Sequence, residues 1–149
     1  MNDKDHINEA KQLFRQRKYR QVIETLNKAE KSKKINSMIY KLRGYAYYKL
    51  SNFKKAILDY NTAERLDQTK DETLFNNRGL AYSKMGKCKP ALLDFNQALK
   101  IKPRYPQAMN NLANCSDILG KKAQACRYWR KAAFMGYQAA YRMYKLKCK

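Results

Sequence analysis

Amide side chains recur at one position of a repeating pattern in this sequence. Asn8, Asn77 and Asn111 each stand two residues before a small residue, and Leu42 interrupts the series. An amide offers both a hydrogen-bond donor and an acceptor, so such a row can pair with the backbone of an extended peptide. The same amides can instead tether neighbouring helices to one another. The sequence leaves both interpretations open.

No group of residues has the spacing of a catalytic or metal site. The sequence has 1 His, its carboxylates are few and scattered, and it lacks a Gly-rich phosphate loop, an HExxH motif and a GxSxG motif. The 4 cysteines form no CxxC pair, which argues against a zinc site. We therefore predict that the protein is not an enzyme and that it holds no cofactor and no metal.

Two of the cysteines, Cys115 and Cys126, could face each other across one pair of helices. A disulfide there would suit an exported protein, but the sequence favours two buried free thiols.

The first residues, MNDKDHINEA, contain no apolar segment of a signal peptide, and no apolar run is long enough to span a bilayer. We expect a cytoplasmic location, or export if a leader has been removed.

The charge of the 149-residue chain is strongly unbalanced. It has 33 Lys and Arg against 12 Asp and Glu, which gives a formal net charge of +21. Such an excess favours acidic partners, which include nucleic acid, anionic lipid and acidic protein segments. A solubilising surface explains the same charge without any partner.

Small residues recur in three columns with a spacing of 34 or 35 residues. The first column is Ala10, Gly44, Gly79 and Ala113. The second is Val22, Ala56, Ala91 and Ala125, and the third is Ala29, Ala63, Ala98 and Ala132. Antiparallel helices require small residues where their backbones approach closely and bulky residues beside them. The columns therefore predict repeated pairs of packed helices.

Bulky residues and turn residues complete the same pattern. Large side chains follow the second column by four residues, on the same helix face, namely Leu26, Tyr60, Phe95 and Trp129. Tight turns within the pairs are predicted at Arg17-Lys18, Ser51-Asn52, Gly86-Lys87 and Gly120-Lys121.

Two segments, from Tyr40 to Ala63 and from Phe75 to Pro103, carry this pattern best. They resemble tetratricopeptide repeats, which are helix–turn–helix units with a Tyr in the first helix and an Ala–aromatic–Ala series in the second. The resemblance extends over about residues 3–136. It implies an all-α fold, a right-handed α-solenoid of about four repeats with a C-terminal capping helix, in a single domain spanning residues 1–149.

The resemblance also implies boundaries for the repeats. They would cover about residues 3–36, 37–70, 71–105 and 106–137, and the capping helix about 138–147. An apolar stripe is predicted on that helix at Ala139, Ala140, Met143, Tyr144 and Leu146. A Trp-bearing helix that ends at Gly136, followed by an Ala-rich helix, resembles the closing segment of many bacterial repeat proteins and suggests a bacterial origin.

The function that the resemblance implies is non-catalytic protein–protein interaction. A scaffold of this type would bind an extended, acidic or polar peptide segment of a partner in a concave groove lined by the first helices. The predicted contact residues are Lys11, Lys41, Tyr45, Tyr48, Asn77, Asn111 and Asn114. Neither the identity of the protein partner nor the oligomeric state is indicated.

Some members of the family grip a C-terminal carboxylate with a clamp of Lys, Asn and Arg residues. Lys41 and Asn77 match two positions of that clamp, whereas Tyr45, Gln107 and Asn111 do not match the others. Without the later basic residues, charge-assisted bidentate capture is lost, and such a clamp is not expected here.

Binding of RNA or single-stranded nucleic acid is the alternative function. Tyr45 and Tyr48 could stack on bases, with Lys11, Lys41 and Lys84 on phosphates. However, most tyrosines occupy structural columns, and the basic residues are spread over all faces instead of forming one stripe, so protein binding is the favoured interpretation.

Overall fold

The structure of the protein is a computed structural model that describes residues 2–30, 36–67 and 71–149. Within these ranges the chain forms nine α-helices and no strand, so the all-α prediction is confirmed. The helices are α1 Asp3–Arg15, α2 Tyr19–Glu30, α3 Ser37–Lys49, α4 Phe53–Leu66, α5 Glu72–Lys84, α6 Cys88–Ile101, α7 Pro106–Ile118, α8 Lys122–Phe134 and α9 Gln138–Lys147. None of these described helices is long and apolar enough to cross a bilayer.

The chain divides into two compact units, Met1–Lys70 and Asp71–Lys149. In the N-terminal unit, α1 packs on α2 and α3 packs on α4. In the C-terminal unit, α5 packs on α6, α7 packs on α8, and α9 packs on α8. The predicted helix pairs and the predicted C-terminal helix are therefore confirmed. That the chain forms one domain, with the predicted repeat boundaries, stays a prediction.

The turns within the helix pairs lie where the sequence predicts them. Each contains a residue with positive φ: Arg17 at 57°, Ser51 at 60°, Gly86 at 72° and Gly120 at 75°. A left-handed conformation costs an L-residue with a side chain roughly 1–2 kcal/mol, whereas glycine adopts it readily. The turns of the N-terminal unit therefore carry backbone strain that Gly86 and Gly120 relieve in the C-terminal unit.

The predicted columns form the cores of both units. All residues of the three small columns are buried, and the four bulky residues Leu26, Tyr60, Phe95 and Trp129 are at most 1% exposed. A Cβ built on Gly44 would lie 3.0 Å from a ring carbon of Tyr60, and one built on Gly79 would lie 2.6 Å from a ring carbon of Phe95. The small first-column residues thus make room for the bulky residues of the second helices.

Two buried ion pairs, which the sequence analysis missed, repeat within this framework. Arg43 donates from Nε to Asp59 Oδ2 and from Nη2 to Asp59 Oδ1, both at 2.8 Å. Arg78 donates to Asp94 Oδ2 at 2.9 Å and to Oδ1 at 2.8 Å in the same bidentate manner. Each Arg directly precedes a first-column glycine, and each Asp directly precedes a bulky core residue. The signal in the sequence was this repeated Arg–Asp spacing of 16 residues.

The apolar stripe of α9 is narrower than predicted. Ala140 is fully buried, and Met143 and Tyr144 pack partly against the core around Trp129. Ala139 is exposed and Leu146 is 71% exposed, so these two residues do not belong to the buried stripe. The reason is that α9 packs mainly on α8, which covers only one narrow face of a helix of 10 residues.

Candidate functional site

The predicted contact residues all lie on the first helices of the helix pairs, in two groups. In the N-terminal unit, Lys11 lies on α1, and Lys41, Tyr45 and Tyr48 lie on α3. In the C-terminal unit, Asn77 lies on α5, and Asn111 and Asn114 lie on α7. Lys11 is exposed and the other six residues are half-buried.

Aromatic rings form a continuous row in the N-terminal unit, which we call the aromatic row. Its members are Tyr19, Phe14, Tyr45, Tyr48 and Phe53. The rings of Phe14 and Tyr45 are stacked with centroids 5.1 Å apart and planes within 6°. Tyr45 continues to Tyr48 at 6.3 Å, and Tyr48 continues to Phe53 at 5.6 Å. The sequence predicts Tyr45 and Tyr48 as contact residues, but it does not predict their ring contacts with Phe14 and Phe53.

A lysine lies on this row. Lys49 Nζ stands 5.1 Å from the centroid of the Tyr45 ring, a distance at which a cation is attracted to the ring face. Burial raises the pKa of the Tyr48 hydroxyl, and the positive charge of Lys49 partly offsets that rise. The Tyr48 hydroxyl is therefore neutral at physiological pH and can donate a hydrogen bond to an incoming acceptor.

Lys41 has a charge partner within the N-terminal unit. Its ammonium group pairs with the Asp67 carboxylate, and both side chains are less than one-fifth exposed, at 16% and 17%. The Ser37 hydroxyl donates to the same carboxylate at 3.3 Å. Asp67 lies 26 residues from Lys41 in the chain, and this pairing was not predicted from the sequence.

The amides of the C-terminal unit connect helices. Asn111 Nδ2 donates to Asn76 Oδ1 at 3.1 Å, and therefore links α7 to α5. Asn114 Oδ1 accepts a hydrogen bond from Trp129 Nε1 at 3.0 Å, which satisfies the indole of a fully buried ring. For Asn111 the tethering interpretation of the amide row therefore holds, and Asn114, which lies outside that row, ties α7 to α8. Asn77 is half-buried on α5.

A surface depression of about 480 Å³ lies between α7, α8 and α9 of the C-terminal unit. Asn114, Asp117, Trp129 and Lys147 contribute to its lining. The Lys147 ammonium pairs with the Asp117 carboxylate and stands 6.0 Å from the centroid of the Trp129 ring. The last turn of α9 is thus fastened to α7 and α8 by charge.

Comparison with known proteins identifies the repeat family. A TPR repeat family model matches residues 44–86, and a tetratricopeptide repeat model matches residues 73–105. The chain is a tetratricopeptide repeat protein. No curated protein matches the chain. Among the described residues, no group of three His, Cys, Asp or Glu side chains could hold a metal ion.

Solved structures of other tetratricopeptide repeat proteins have the same fold. The crystal structure of MamA superposes with a TM-score of 0.85 at 22% identity, covering 93% of this chain and 81% of that one. The first TPR of Spaghetti (RPAP3), bound to the HSP90 peptide SRMEEVD, superposes at 0.76 with 25% identity, covering 80% of this chain and 94% of that one. The NMR structure of the first TPR domain of the human RPAP3 protein superposes with a TM-score of 0.74 at 25% identity, covering 83% of this chain and 96% of that one.

The cysteines of this tetratricopeptide repeat protein differ from the sequence-based prediction. Cys115 is a buried free thiol, as predicted, but its neighbours are Cys88 and Ser83. Cys126 is not a free thiol: it forms a disulfide with Cys148, across 5.6 Å between the Cα atoms. The prediction failed for Cys126 because the turn at Gly136 brings the end of α9 back beside α8, whereas Cys115 points into the core between α6 and α7.

The environment of Cys115 predicts low reactivity. Burial raises the pKa of this thiol from 9.0 to about 12, and the neighbouring Cys88 thiol adds to the rise. The pKa of Cys115 is higher in the folded state than in the unfolded state. The contribution of this thiol to the free energy of unfolding is therefore complete below pH 9 and is lost as the pH rises towards 12. At pH 8 we expect iodoacetamide to alkylate Cys115 on the order of a thousandfold more slowly in the folded protein than in guanidinium chloride. Equal rates of alkylation in the two conditions, measured by mass spectrometry, would contradict this environment.

Proposed function

We propose that this tetratricopeptide repeat protein is a non-catalytic scaffold that holds an extended acidic or polar segment of a partner protein. The observation that carries the proposal is the stacking of Phe14 of α1 on Tyr45 of α3 within the aromatic row, with Lys49 over the Tyr45 ring. The tetratricopeptide repeat fold is generally a protein-interaction module, and one relative of this fold is bound to the peptide SRMEEVD.

The aromatic row suits a peptide because tyrosine offers a broad apolar ring with a polar tip at low entropic cost. Tyr45 and Tyr48 are half-buried, so part of each ring remains open to a partner. Lys49 and Lys11 are exposed on the same two first helices and would attract carboxylates of the segment. Interface hot spots are enriched in such aromatic and cationic residues.

The same geometry makes protein a better occupant than nucleic acid. Base stacking needs an uncovered ring face. The Tyr45 ring is already stacked on Phe14, and Lys49 and Tyr48 lie close to it, so its edge and hydroxyl remain for contact. A peptide can use an edge and a hydroxyl through hydrogen bonds and apolar contact, whereas a base loses most of its stacking area.

The other predicted contact residues are also part of the proposed binding surface. Lys41 is held in place by Asp67 and would present a partly compensated charge. Lys11 is exposed, and Asn77 is half-buried on α5. Asn111 and Asn114 would act mainly by fixing the positions of α7 and of Trp129.

Removal of Tyr45 and Lys49 together is expected to weaken partner binding by about tenfold or more, the range of a moderate interface hot spot. The control is the double variant Tyr141→Ala/Lys145→Ala, which removes a similar pair on α9, where Lys145 Nζ stands 5.9 Å from the Tyr141 ring. Both variants and the wild type would be immobilised as baits in lysate of the source organism, and captured proteins quantified by mass spectrometry. Proteins lost from the Tyr45→Ala/Lys49→Ala bait alone support the proposal; equal capture by all three baits contradicts it.

A further inference from the structure

The Cys126–Cys148 disulfide lies in a strongly cationic depression of the C-terminal unit. The depression has a volume of about 410 Å³, and both cysteines line it together with Tyr144. Its basic lining residues are Lys122, Arg127, Arg130 and Lys149. None of the described residues that line it is acidic. Both cysteine residues are half-buried and line the depression, so the disulfide borders space that is open to solvent.

The two thiols in the same unit provide a contrast. Cys88 is 3% exposed and Cys115 is fully buried. They pack in the core between α6 and α7, among apolar side chains such as Phe95 and Leu112. Reagents in solution are therefore excluded from Cys88 and Cys115, whereas Cys126 and Cys148 border the open depression.

Cations beside a disulfide favour its reduction by thiols. The attacking species is a thiolate, and negative charge is spread over the sulfurs during the exchange. Nearby Lys and Arg side chains stabilise that charge and the cysteine thiolate that leaves. They also raise the local concentration of anionic reagents relative to neutral or cationic ones.

We propose that Cys126–Cys148 is a thiol–disulfide exchange site whose reductant is an anionic low-molecular-weight thiol. One reductant thiolate attacks a sulfur of the disulfide, the S–S bond breaks, and one cysteine leaves as a thiolate while a mixed disulfide forms. A second reductant thiolate attacks the mixed disulfide, which releases the other cysteine and yields the oxidised reductant as its own disulfide. The two electrons come from the two reductant thiols, whose protons pass through solvent to the two cysteines.

Reduction has a structural consequence on the other side of α9. Cys148 directly follows Lys147, which pairs with Asp117 and lies over the ring of Trp129. The disulfide therefore fastens the same end of α9 that the ion pair fastens. With the bond broken, we expect the end of α9 to separate more readily from α8 and expose Trp129, which is the single tryptophan of the chain.

The test compares three thiols of different charge on the intact protein. Glutathione is anionic at neutral pH, 2-mercaptoethanol is neutral and cysteamine is cationic. The rate of reduction would be followed by quenching with an alkylating reagent and mass spectrometry of the Cys126 and Cys148 peptides. Tryptophan fluorescence would follow the environment of Trp129 in the same samples.

The charge variant is Arg127→Gln/Arg130→Gln, and the matched control is Lys100→Gln/Lys102→Gln, which removes two exposed charges outside the depression. The ratio of the glutathione rate to the 2-mercaptoethanol rate cancels the change in intrinsic disulfide reactivity. We expect this ratio to fall on the order of tenfold in the charge variant and to stay within about twofold in the control. High salt should lower the wild-type ratio in the same way.

Three results would overturn the proposal. The first is a rate ratio that does not change in the charge variant or in high salt. The second is a cysteamine rate that equals or exceeds the glutathione rate after correction for the thiolate fraction of each reagent. The third is recovery of Cys126 and Cys148 as free thiols from protein purified under oxidising conditions. None of these outcomes depends on the proposed scaffold function.

Discussion

Gly79→Leu is expected to unfold the α5–α6 pair. A Cβ at this position would lie 2.6, 2.8 and 3.1 Å from three ring carbons of Phe95. Phe95 is fully buried, so its ring cannot swing into solvent to make room. Overpacking by a few methylenes typically costs about 1–3 kcal/mol and sometimes more, and a four-carbon side chain lies at the upper end of that range. The measurement is urea denaturation followed by circular dichroism at the helix band.

The control for Gly79→Leu is Asn96→Leu, which places the same side chain at an exposed position of α6. A surface substitution of this kind should change the free energy of unfolding by less than about 0.5 kcal/mol. A second comparison isolates the clash itself: Phe95→Leu should destabilise the Gly79→Ala background less than it destabilises the wild type. Gly79→Leu with a wild-type urea midpoint would show that the α5–α6 contact differs from the one described here.

Asp94→Ala is expected to be the most destabilising replacement of a charged residue in the C-terminal unit. Its carboxylate accepts two hydrogen bonds from Arg78, at 2.9 and 2.8 Å, and the two side chains are only 8% and 11% exposed. Removal of one partner leaves a buried guanidinium without its carboxylate, which typically costs about 3–5 kcal/mol. The free energy of unfolding from urea titration measures this loss.

The last helix pair supplies the matched control for Asp94→Ala. The residues that correspond to Arg78 and Asp94 there are Leu112, which is fully buried, and Tyr128. The double variant Arg78→Leu/Asp94→Tyr copies this arrangement and removes both charges together. Apolar replacement of a buried ion pair is often neutral or stabilising, so the double variant should be more stable than Asp94→Ala. A double variant that is less stable than the single one would contradict this assignment.

The fold could be predicted from the sequence because its main constraint is steric. Small residues such as Gly44 must lie opposite bulky ones such as Tyr60 wherever two helices pack closely. The same positions recur in each repeat, so the pattern is visible in the sequence. The Arg–Asp pairs escaped prediction because a charged residue in a helix is usually exposed, and only the contact between Arg43 and Asp59 reveals that both are buried.

The candidate site was only partly predictable. The positions of Tyr45 and Tyr48 on the first helix predict them as contact residues, but the stacking of Tyr45 on Phe14 depends on how α1 and α3 pack. The Lys41–Asp67 pair depends likewise on where the chain lies after α4. The disulfide was missed because a helix as short as α9 gives little signal about which way its end points.

The measurement that tests the scaffold function most directly is the nature of the material that the protein captures. The wild-type protein would be used as bait in lysate of the source organism, with and without nuclease, and eluted with a salt gradient. We expect a specific protein that is retained after nuclease treatment and at moderate salt, because its contacts are centred on the aromatic row. Material that disappears with nuclease, or that elutes steeply with salt as counterion release requires, would contradict it and make nucleic acid the partner.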